Sequence, residues 1–290
     1  MARLFGLIGN RADLAGRVLS SETDALRVRT RSPESSANGT SSPPWAWGLG
    51  FYQGGEVLMR RRPLDESEEI DVAKLASDVR GDIVVGHVRS ATVGSFSTEN
   101  THPFRSRQWL FAQTGTLDEW DAVRDRLRAS IPEFLQSSIR GETDSEIFFH
   151  VFLSFLHDAG RLNDAVVEPQ AIREALRSSF AVVDGMIAEV SGKPSRLNVL
   201  VSNGETIVGV HKRADMAYRV YRGKDDADAL LGDDAILRAK TPSPAQMHFV
   251  MIASDFDDVH ETLAHSRWKK IDDGAIVTLH RGQDPKIEPF

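Results

Sequence analysis

Apolar residues alternate with polar ones, or run together in short stretches, along most of the chain, which is typical of strands. The first ten residues predict a buried strand, and Trp45–Arg60 predicts a hairpin that turns at Gly54-Gly55. Further strands are predicted over Asp82–Arg89, Trp109–Ala112, Ala181–Ala188, Leu197–Ser202, Thr206–His211, Met216–Tyr221, Phe249–Ala253 and Ala275–His280. The Asn203-Gly204 pair predicts a tight turn between two of these strands.

Other stretches repeat apolar residues at the spacing of a helix. Helices are predicted over Asp71–Val79, Trp120–Leu127, Ser145–Leu156 (capped by Thr143 or Asp144) and Ile172–Ser178, and a short helix or loop over Arg11–Arg31. The turn-forming residues of Ser32–Pro44 predict a surface loop. Many strands with helices in separate blocks favour an α+β fold, with one domain over residues 1–280 and a C-terminal tail over 281–290.

Composition narrows the function classes. The 290 residues carry a net charge of −7, which argues against nucleic acid or an anionic membrane as a partner. The sequence contains no cysteine, so disulfides, thiolate metal sites and cysteine nucleophiles are excluded. No metal-ligand spacing or phosphate-binding glycine loop is present, so neither a metal nor a cofactor is expected. Without a signal-peptide pattern or a long apolar run, we expect a cytoplasmic protein.

Four short segments carry residues suited to binding a small charged molecule: His87–Gly94, Asn100–Phe104, Phe111–Leu117 and Gly141–Glu146. Arg89 at a strand end suits bidentate capture of a carboxylate. Gly115 follows a strand, where backbone N–H groups can face an anion. Each segment also has a purely structural interpretation: a surface ion pair for Arg89, a hydrogen-bonded histidine for His102, an ordinary turn at Gly115 and a helix cap for Asp144.

The order and spacing of these segments behind an N-terminal strand resemble the class II glutamine amidotransferase family, the N-terminal-nucleophile type, and especially its stand-alone members. The family pattern is Cys-x-Leu-x-Gly, Asp-Gly-x-Gly, His-x-Arg-x-Ala-Thr, Asn-x-His-Pro-Phe, His-Asn-Gly and Thr-Asp-Ser-Glu. The matching stretches here are Ala2–Gly6, Trp45–Gly48, His87–Thr92, Asn100–Phe104, Gln113–Gly115 and Thr143–Glu146, with further similarity at Leu197–Leu200 and Trp268–Gly274. The resemblance implies a four-layer αββα sandwich of the N-terminal-nucleophile hydrolase type over about residues 2–280.

The resemblance also implies roles for individual residues. In this family the side chain of residue 2 attacks the carboxamide of glutamine, and an Asn side chain with the following Gly N–H holds the oxyanion. Arg89, Asp144, Thr92 and His102 match substrate-binding positions, with Arg89 on the α-carboxylate and Asp144 on the α-ammonium. Ala2, however, occupies the nucleophile position, and Thr114 replaces the oxyanion Asn, which leaves only Gly115 N–H and a hydroxyl.

Losing a nucleophile costs about 10⁶ in rate, and losing an oxyanion donor costs about 10² to 10³. Either loss makes glutaminase activity negligible. We therefore expect a catalytically degenerate family member, a pseudoenzyme whose remnant pocket binds glutamine, glutamate or a related amino-acid-like ligand, or whose surface binds a protein partner.

Three alternatives remain open. An amidohydrolase could use a hydroxyl of Thr114, Thr92 or Ser90, assisted by His87 or His102. Ala2 could be an engineered replacement of a catalytic Cys, although that leaves the changes at Thr114 and at Trp45-Ala46 without an explanation. Finally, the chain could be a scaffold in which aromatic replacements such as Trp45 close the pocket.

Overall fold

The computed structural model describes residues 2–26, 28–29, 45–64, 69–90, 93–190, 193–241, 243–256 and 267–290. The strands are β1 (Arg3–Gly9), β2 (Val28–Arg29), β3 (Trp45–Gln53), β4 (Glu56–Leu64), β5 (Glu69–Ile70), β6 (Ile83–Ser90), β7 (Phe104–Ser106), β8 (Trp109–Thr114), β9 (Asn198–Ser202), β10 (Thr206–His211), β11 (Met216–Arg222), β12 (His248–Ser254), β13 (Lys269–Ile271), β14 (Ala275–His280) and β15 (Lys286–Pro289). The α-helices are α1 (Ala15–Ser21), α2 (Thr23–Leu26), α3 (Val72–Ala76), α4 (Trp120–Ser130), α5 (Glu133–Gln136), α6 (Asp144–Asp158), α7 (Pro169–Ala188), α8 (Gly223–Leu231) and α9 (Ala235–Ala239). The predicted surface loop over Ser32–Pro44 lies outside the described residues.

Two antiparallel sheets form the centre of the fold. One has the strand order β13-β11-β12-β1-β6-β3-β4, and the other has the order β15-β14-β10-β9-β8-β7. The N-terminal strand β1 lies in the middle of the first sheet, where it pairs with β12 on one side and with β6 on the other. The predicted hairpin forms from β3 and β4, and the predicted turn at Asn203-Gly204 connects β9 to β10.

The buried side chains form three hydrophobic layers. Leu4 and Ile8 of β1 pack between the two sheets, whereas Phe5 and Leu7 point to the other face of their sheet, where they join the side chains of α1 and α8. A third cluster joins the second sheet to α4, α6 and α7. The strict alternation along β1 follows from the two-residue repeat of a strand that is buried on both faces. These layers form an αββα sandwich, as the family resemblance implies.

The strand predicted over Ala181–Ala188 is wrong, because this segment is the second half of the 20-residue helix α7. The β-branched pair Val182-Val183 favours a strand locally. The helical spacing of the predicted helix nevertheless continues through the buried residues Leu176, Phe180, Val183 and Ile187, which pack onto the second sheet. Tertiary packing of that apolar stripe outweighs the local preference.

The last ten residues, expected to be a tail, include the edge strand β15, which pairs with β14. The short strands β2, β5, β7 and β13 and the helices α5, α8 and α9 were not predicted, because none shows a long periodic pattern. Within the described ranges, no helix is long and apolar enough to cross a membrane. The cytoplasmic location stays a prediction.

Candidate functional site

The predicted site segments meet at one end of the sandwich. Arg3 of β1 is paired with Val88 of β6. Continuing this register by one residue places Ala2 opposite Arg89, which is paired on its other side with Ala46 of β3. Since residues directly opposite in a sheet point to the same face, Ala2 and Arg89 share the inter-sheet face with Leu4. The structure therefore brings the nucleophile position and the predicted carboxylate-binding residue together.

Arg89 is buried and held by backbone carbonyls. Its Nη1 donates to the carbonyl of Asn100, and its Nη2 donates to the carbonyl of Val93. The Asn100 side chain fixes the same loop, because Nδ2 donates to the Ser95 carbonyl at 2.8 Å and Oδ1 accepts from the Glu142 N–H at 2.8 Å. Burial lowers the pKa of Arg89, and the charge of Asp144 partly opposes this.

Asp144 is the first residue of α6. Thr143 caps the helix, since its hydroxyl oxygen accepts from the Glu146 N–H at 3.2 Å. The Asp144 carboxylate is buried and accepts from the Leu117 N–H at 2.8 Å, which fixes the loop after β8. Burial raises the pKa of Asp144, while the hydrogen bonds from backbone N–H groups and the charge of Arg89 lower it. An opposite charge pair thus lies at this end of the sandwich.

Thr114 is the last residue of β8, at the predicted oxyanion position. Its Oγ1 donates a 2.7 Å hydrogen bond to Asp255 Oδ2, which also accepts from the Ser254 hydroxyl at 2.6 Å. Asp255 Oδ1 forms an ion pair with Arg213. Asp255 has a φ of +61°, a left-handed conformation that Asp tolerates better than most residues. A bond between the ends of β8 and β12 therefore joins the two sheets where the oxyanion donor is expected.

His102, a predicted substrate contact, is buried together with His87. Their ring centroids lie 4.4 Å apart, and the His102 ring also packs 4.6 Å from that of Phe104. The ring nitrogens of both histidines have no hydrogen-bond partner within the described residues. Burial, with the charge of Arg89 adding to it, lowers the pKa of His87 to about 3, and burial also lowers the pKa of His102. Burial therefore favours the neutral form of both rings.

Trp45 lies on the other face of its sheet, in the cluster that packs against the helices. It does not fill the space between the sheets, so this tryptophan does not close the pocket in the way the scaffold alternative requires. The small residues Ala46 and Gly48 face the inter-sheet side instead. A Cβ on Gly48 would lie 2.0 Å from the carbonyl oxygen of His102. Thr92 and the side chain of Ser90 lie outside the described part of the structure.

The sequence analysis missed Asp255, Ser254 and Arg213. They lie about 100 or more residues from Thr114 in the chain and belong to none of the quoted motifs. A polar Ser-Asp pair directly after the apolar strand over 249–253 is the only local signal that could have drawn attention to this position. Within the described ranges, no three His, Asp or Glu side chains come close enough together to hold a metal ion.

Comparisons with known proteins identify the family and the fold of the chain. A family model described as class II glutamine amidotransferases matches residues 24–288. A probable glutamine amidotransferase of Saccharomyces cerevisiae is 29% identical over 146 residues, which are 48% of this chain and 41% of the yeast protein. A gamma-glutamyl-hercynylcysteine sulfoxide hydrolase of Mycobacterium tuberculosis is 25% identical over 72% of this chain and 75% of that protein.

The first of these relatives is much longer than the matched region, since this chain spans only about two fifths of its length. Among solved structures, a class II glutamine aminotransferase domain protein from Silicibacter pomeroyi covers 99% of both chains, with a TM-score of 0.57 and 16% identity. A predicted glutamine amidotransferase from Pseudomonas aeruginosa covers 97% of this chain and 98% of its own, with a TM-score of 0.54 and 19% identity. The family match over most of the chain, together with the sandwich and its site segments, establishes that this chain belongs to the class II glutamine amidotransferase family.

Proposed function

We propose that this chain is a non-catalytic member of its family that binds glutamine or a closely related amino acid between Arg89 and Asp144. The observation that carries this proposal is the hydrogen bond from Thr114 to Asp255 at the oxyanion position. With this bond and the methyl side chain of Ala2, the site lacks both a nucleophile at residue 2 and a free side-chain donor for the oxyanion. The two charged residues that would bind the substrate remain.

The proposed loss of catalysis follows from the lack of a free hydroxyl donor at Thr114 and of a nucleophile at Ala2. A threonine hydroxyl has one hydrogen to donate, and Thr114 donates it to Asp255. The hydroxyl is therefore not available to a developing oxyanion at the same time. Ala2 has no nucleophilic atom in its side chain, and the sequence contains no cysteine that could replace it. Covalent catalysis with the nucleophile at residue 2 is thus absent.

The two charged residues predicted to bind the substrate still have hydrogen-bonding capacity for it. A guanidinium has five N–H donors, and Arg89 uses Nη1 and Nη2 for one backbone carbonyl each. The remaining donors suit a carboxylate. Asp144 accepts from the Leu117 N–H through Oδ2, and its Oδ1 has a long contact of 3.4 Å with the Ser145 hydroxyl. An ammonium group would replace that contact with a charge-assisted hydrogen bond.

Isothermal titration calorimetry with L-glutamine tests this proposal. Asp144→Asn keeps an oxygen for the Leu117 N–H but removes the charge, so we expect it to weaken glutamine binding by about tenfold or more. Arg89→Lys should also weaken binding, because a lysine cannot reproduce the guanidinium fork. Asp121→Asn, on the exposed surface of α4, is the matched control and should bind as the wild type does. Equal affinity of Asp144→Asn and wild type would refute the proposed pocket, provided that both melt at the same temperature.

A second candidate function is hydrolysis of a glutamine-type amide by a hydroxyl route. The 2.7 Å contact favours it, because a carboxylate that accepts the proton of a hydroxyl is the arrangement of a base and a nucleophile. The other oxygen of this carboxylate forms the ion pair with Arg213. If this route operates, the wild type releases glutamate and Thr114→Val does not.

A further inference from the structure

Thr114 lies at the end of the sandwich where the sequence resemblance predicts the side-chain end of a bound glutamine. Leu4 of β1 and Ala112 of β8 pack in the hydrophobic layer between the sheets. Because side chains on one face of a strand recur at every second residue, Ala2 and Thr114 continue this face. Thr114 bonds to Asp255, which directly follows the β12 residue that pairs with Leu4. Thr114 and Ala2 are therefore at the same end of the two sheets.

The Thr114 hydroxyl presents a hydrogen-bond acceptor at this end. Its one hydrogen is donated to Asp255 Oδ2 at 2.7 Å, so its lone pairs are what it can still offer. The carboxylate is held by two further partners, the Ser254 hydroxyl at 2.6 Å on Oδ2 and Arg213 on Oδ1. Thr114, Ser254 and Asp255 are all buried, and burial strengthens these hydrogen bonds. Asp255 thus stays in the orientation that receives the Thr114 proton.

The next residue supplies a donor. Gly115 lies beyond the last ladder pair of β8 and has a φ of +100°. A Cβ there would lie 2.4 Å from the carbonyl oxygen of Arg196 and 2.9 Å from Arg213 Cδ, so only glycine fits. The resemblance implies that the Gly115 N–H faces the ligand. A donor and an acceptor on adjacent residues match the C=O and NH₂ of a primary carboxamide, whereas a carboxylate offers acceptors alone.

We infer that Thr114 and Asp255 make the pocket select glutamine over glutamate, because position 114 accepts a hydrogen bond where the family pattern has an asparagine donor. A glutamate side chain would compete with Asp255 for the Thr114 proton and would bring a second negative charge close to a buried carboxylate. Arg213 does not offset this repulsion, since it is already paired with Asp255 and is 40% exposed to solvent. The inference rests on the proposed function, which supplies the binding of the α-carboxylate and α-ammonium groups.

Isothermal titration calorimetry of the full chain compares three ligands: L-glutamine, L-glutamate and L-norleucine, whose side chain has no polar end. We expect glutamine to bind at least about tenfold more tightly than either of the others. Glutamate or norleucine binding as tightly as glutamine would overturn the inference and leave the proposed amino-acid pocket in place. Absence of binding by all three ligands would overturn the proposed function and the inference with it.

Thr114→Val keeps the shape of the side chain and removes the acceptor. It should weaken glutamine binding about tenfold and leave norleucine binding unchanged, since only glutamine uses the acceptor. Equal weakening for both ligands would show that the threonine has only a structural role, and it would overturn the inference. Thr98→Val, at an exposed position, is the control and should bind all three ligands as the wild type does.

Asp255→Asn removes the negative charge and keeps an oxygen for the Thr114 proton. It should narrow the ratio of glutamine affinity to glutamate affinity about tenfold, because the charge opposes glutamate alone. The ratio is informative because a general loosening of the site would weaken both ligands together. An unchanged ratio in this variant would overturn the inference, whether or not both affinities fall.

Discussion

The Thr114 hydroxyl at the end of β8 donates its proton to the carboxylate of Asp255, which follows β12 in the opposite sheet, over 2.7 Å. The sequence resemblance predicts this position to be that of the side chain that holds the oxyanion. The bond occupies the hydroxyl proton of Thr114, which an oxyanion would otherwise accept. It also joins the two sheets at the end where Ala2 and Arg89 lie. Under the proposed function, this one bond both withholds the hydroxyl from an oxyanion and stabilises the site.

Thr114→Val should lower the free energy of unfolding by about 1 to 2 kcal/mol, because it removes the hydroxyl from a buried carboxylate. Asp255 keeps its bonds to Ser254 and Arg213, so the cost stays moderate. Chemical denaturation measures the change. Thr98→Val at an exposed position is the control and should shift the free energy by less than about 0.5 kcal/mol. Equal stability of Thr114→Val and wild type would show that the bond does not stabilise the site.

Ala2→Cys restores a nucleophile without restoring the oxyanion donor. We expect the single variant to release little glutamate from glutamine, and we expect Ala2→Cys combined with Thr114→Asn to release it about 10² to 10³ times faster. A coupled glutamate assay measures both rates, and mass spectrometry verifies removal of the initiator methionine. Full activity of Ala2→Cys alone would support the alternative that residue 2 carries the only lesion.

Acid should destabilise the protein through His87 and His102. Their pKa values lie below the ordinary value of about 6.5 in the folded state, so below that pH the unfolded state binds more protons. The stabilising contribution is fully present above pH 6.5 and decreases as the pH falls below that value, by up to about 1.4 kcal/mol per pH unit for each histidine. For His87 the decrease continues to about pH 3.

His87→Leu isolates this effect. The ring nitrogens of His87 have no partners, so an apolar replacement removes no hydrogen bond within the described structure. Between pH 6.5 and 4 the free energy of unfolding of the variant should decrease less than that of the wild type. The difference corresponds to at most one bound proton, or up to about 1.4 kcal/mol per pH unit. The raised pKa values of Asp144 and Glu146 act in the opposite direction in both proteins and so cancel in the comparison. Identical pH profiles from thermal denaturation would contradict a neutral, buried His87.

Strand β3 approaches the backbone at His102 so closely that only a glycine fits at position 48 without a steric clash. Gly48→Ala should cost about 3 kcal/mol, because the new Cβ would lie 2.0 Å from a backbone oxygen. Gly185→Ala is the matched control, since nothing lies within 4 Å of a Cβ at that exposed position of α7. This second variant should gain about 0.5 to 1 kcal/mol from helix propensity. A Gly48→Ala protein as stable as the wild type would show that the turn can move away.

Much of the fold could be predicted from the sequence, because strands buried on both faces leave clear apolar runs, such as those of β1, β6 and β12. The segment over Ala181–Ala188 could not, since its local preference for a strand is overruled by packing on the second sheet. Arg89 and Asp144 could be placed because short motifs fix them at a strand end and a helix start. Asp255 and Arg213 could not, because their bonds to the site depend on how distant strands align in space.

The most direct test of the central claim is a one-dimensional NMR time course of L-glutamine with the purified, sequence-verified protein. Our account predicts that glutamate appears no faster than in a control without protein, and that the glutamine signals broaden in the presence of the protein. Release of glutamate above the control would contradict the loss of catalysis and favour the hydroxyl route through Thr114. Unbroadened signals at millimolar glutamine, confirmed by the absence of heat in calorimetry, would contradict the remnant pocket.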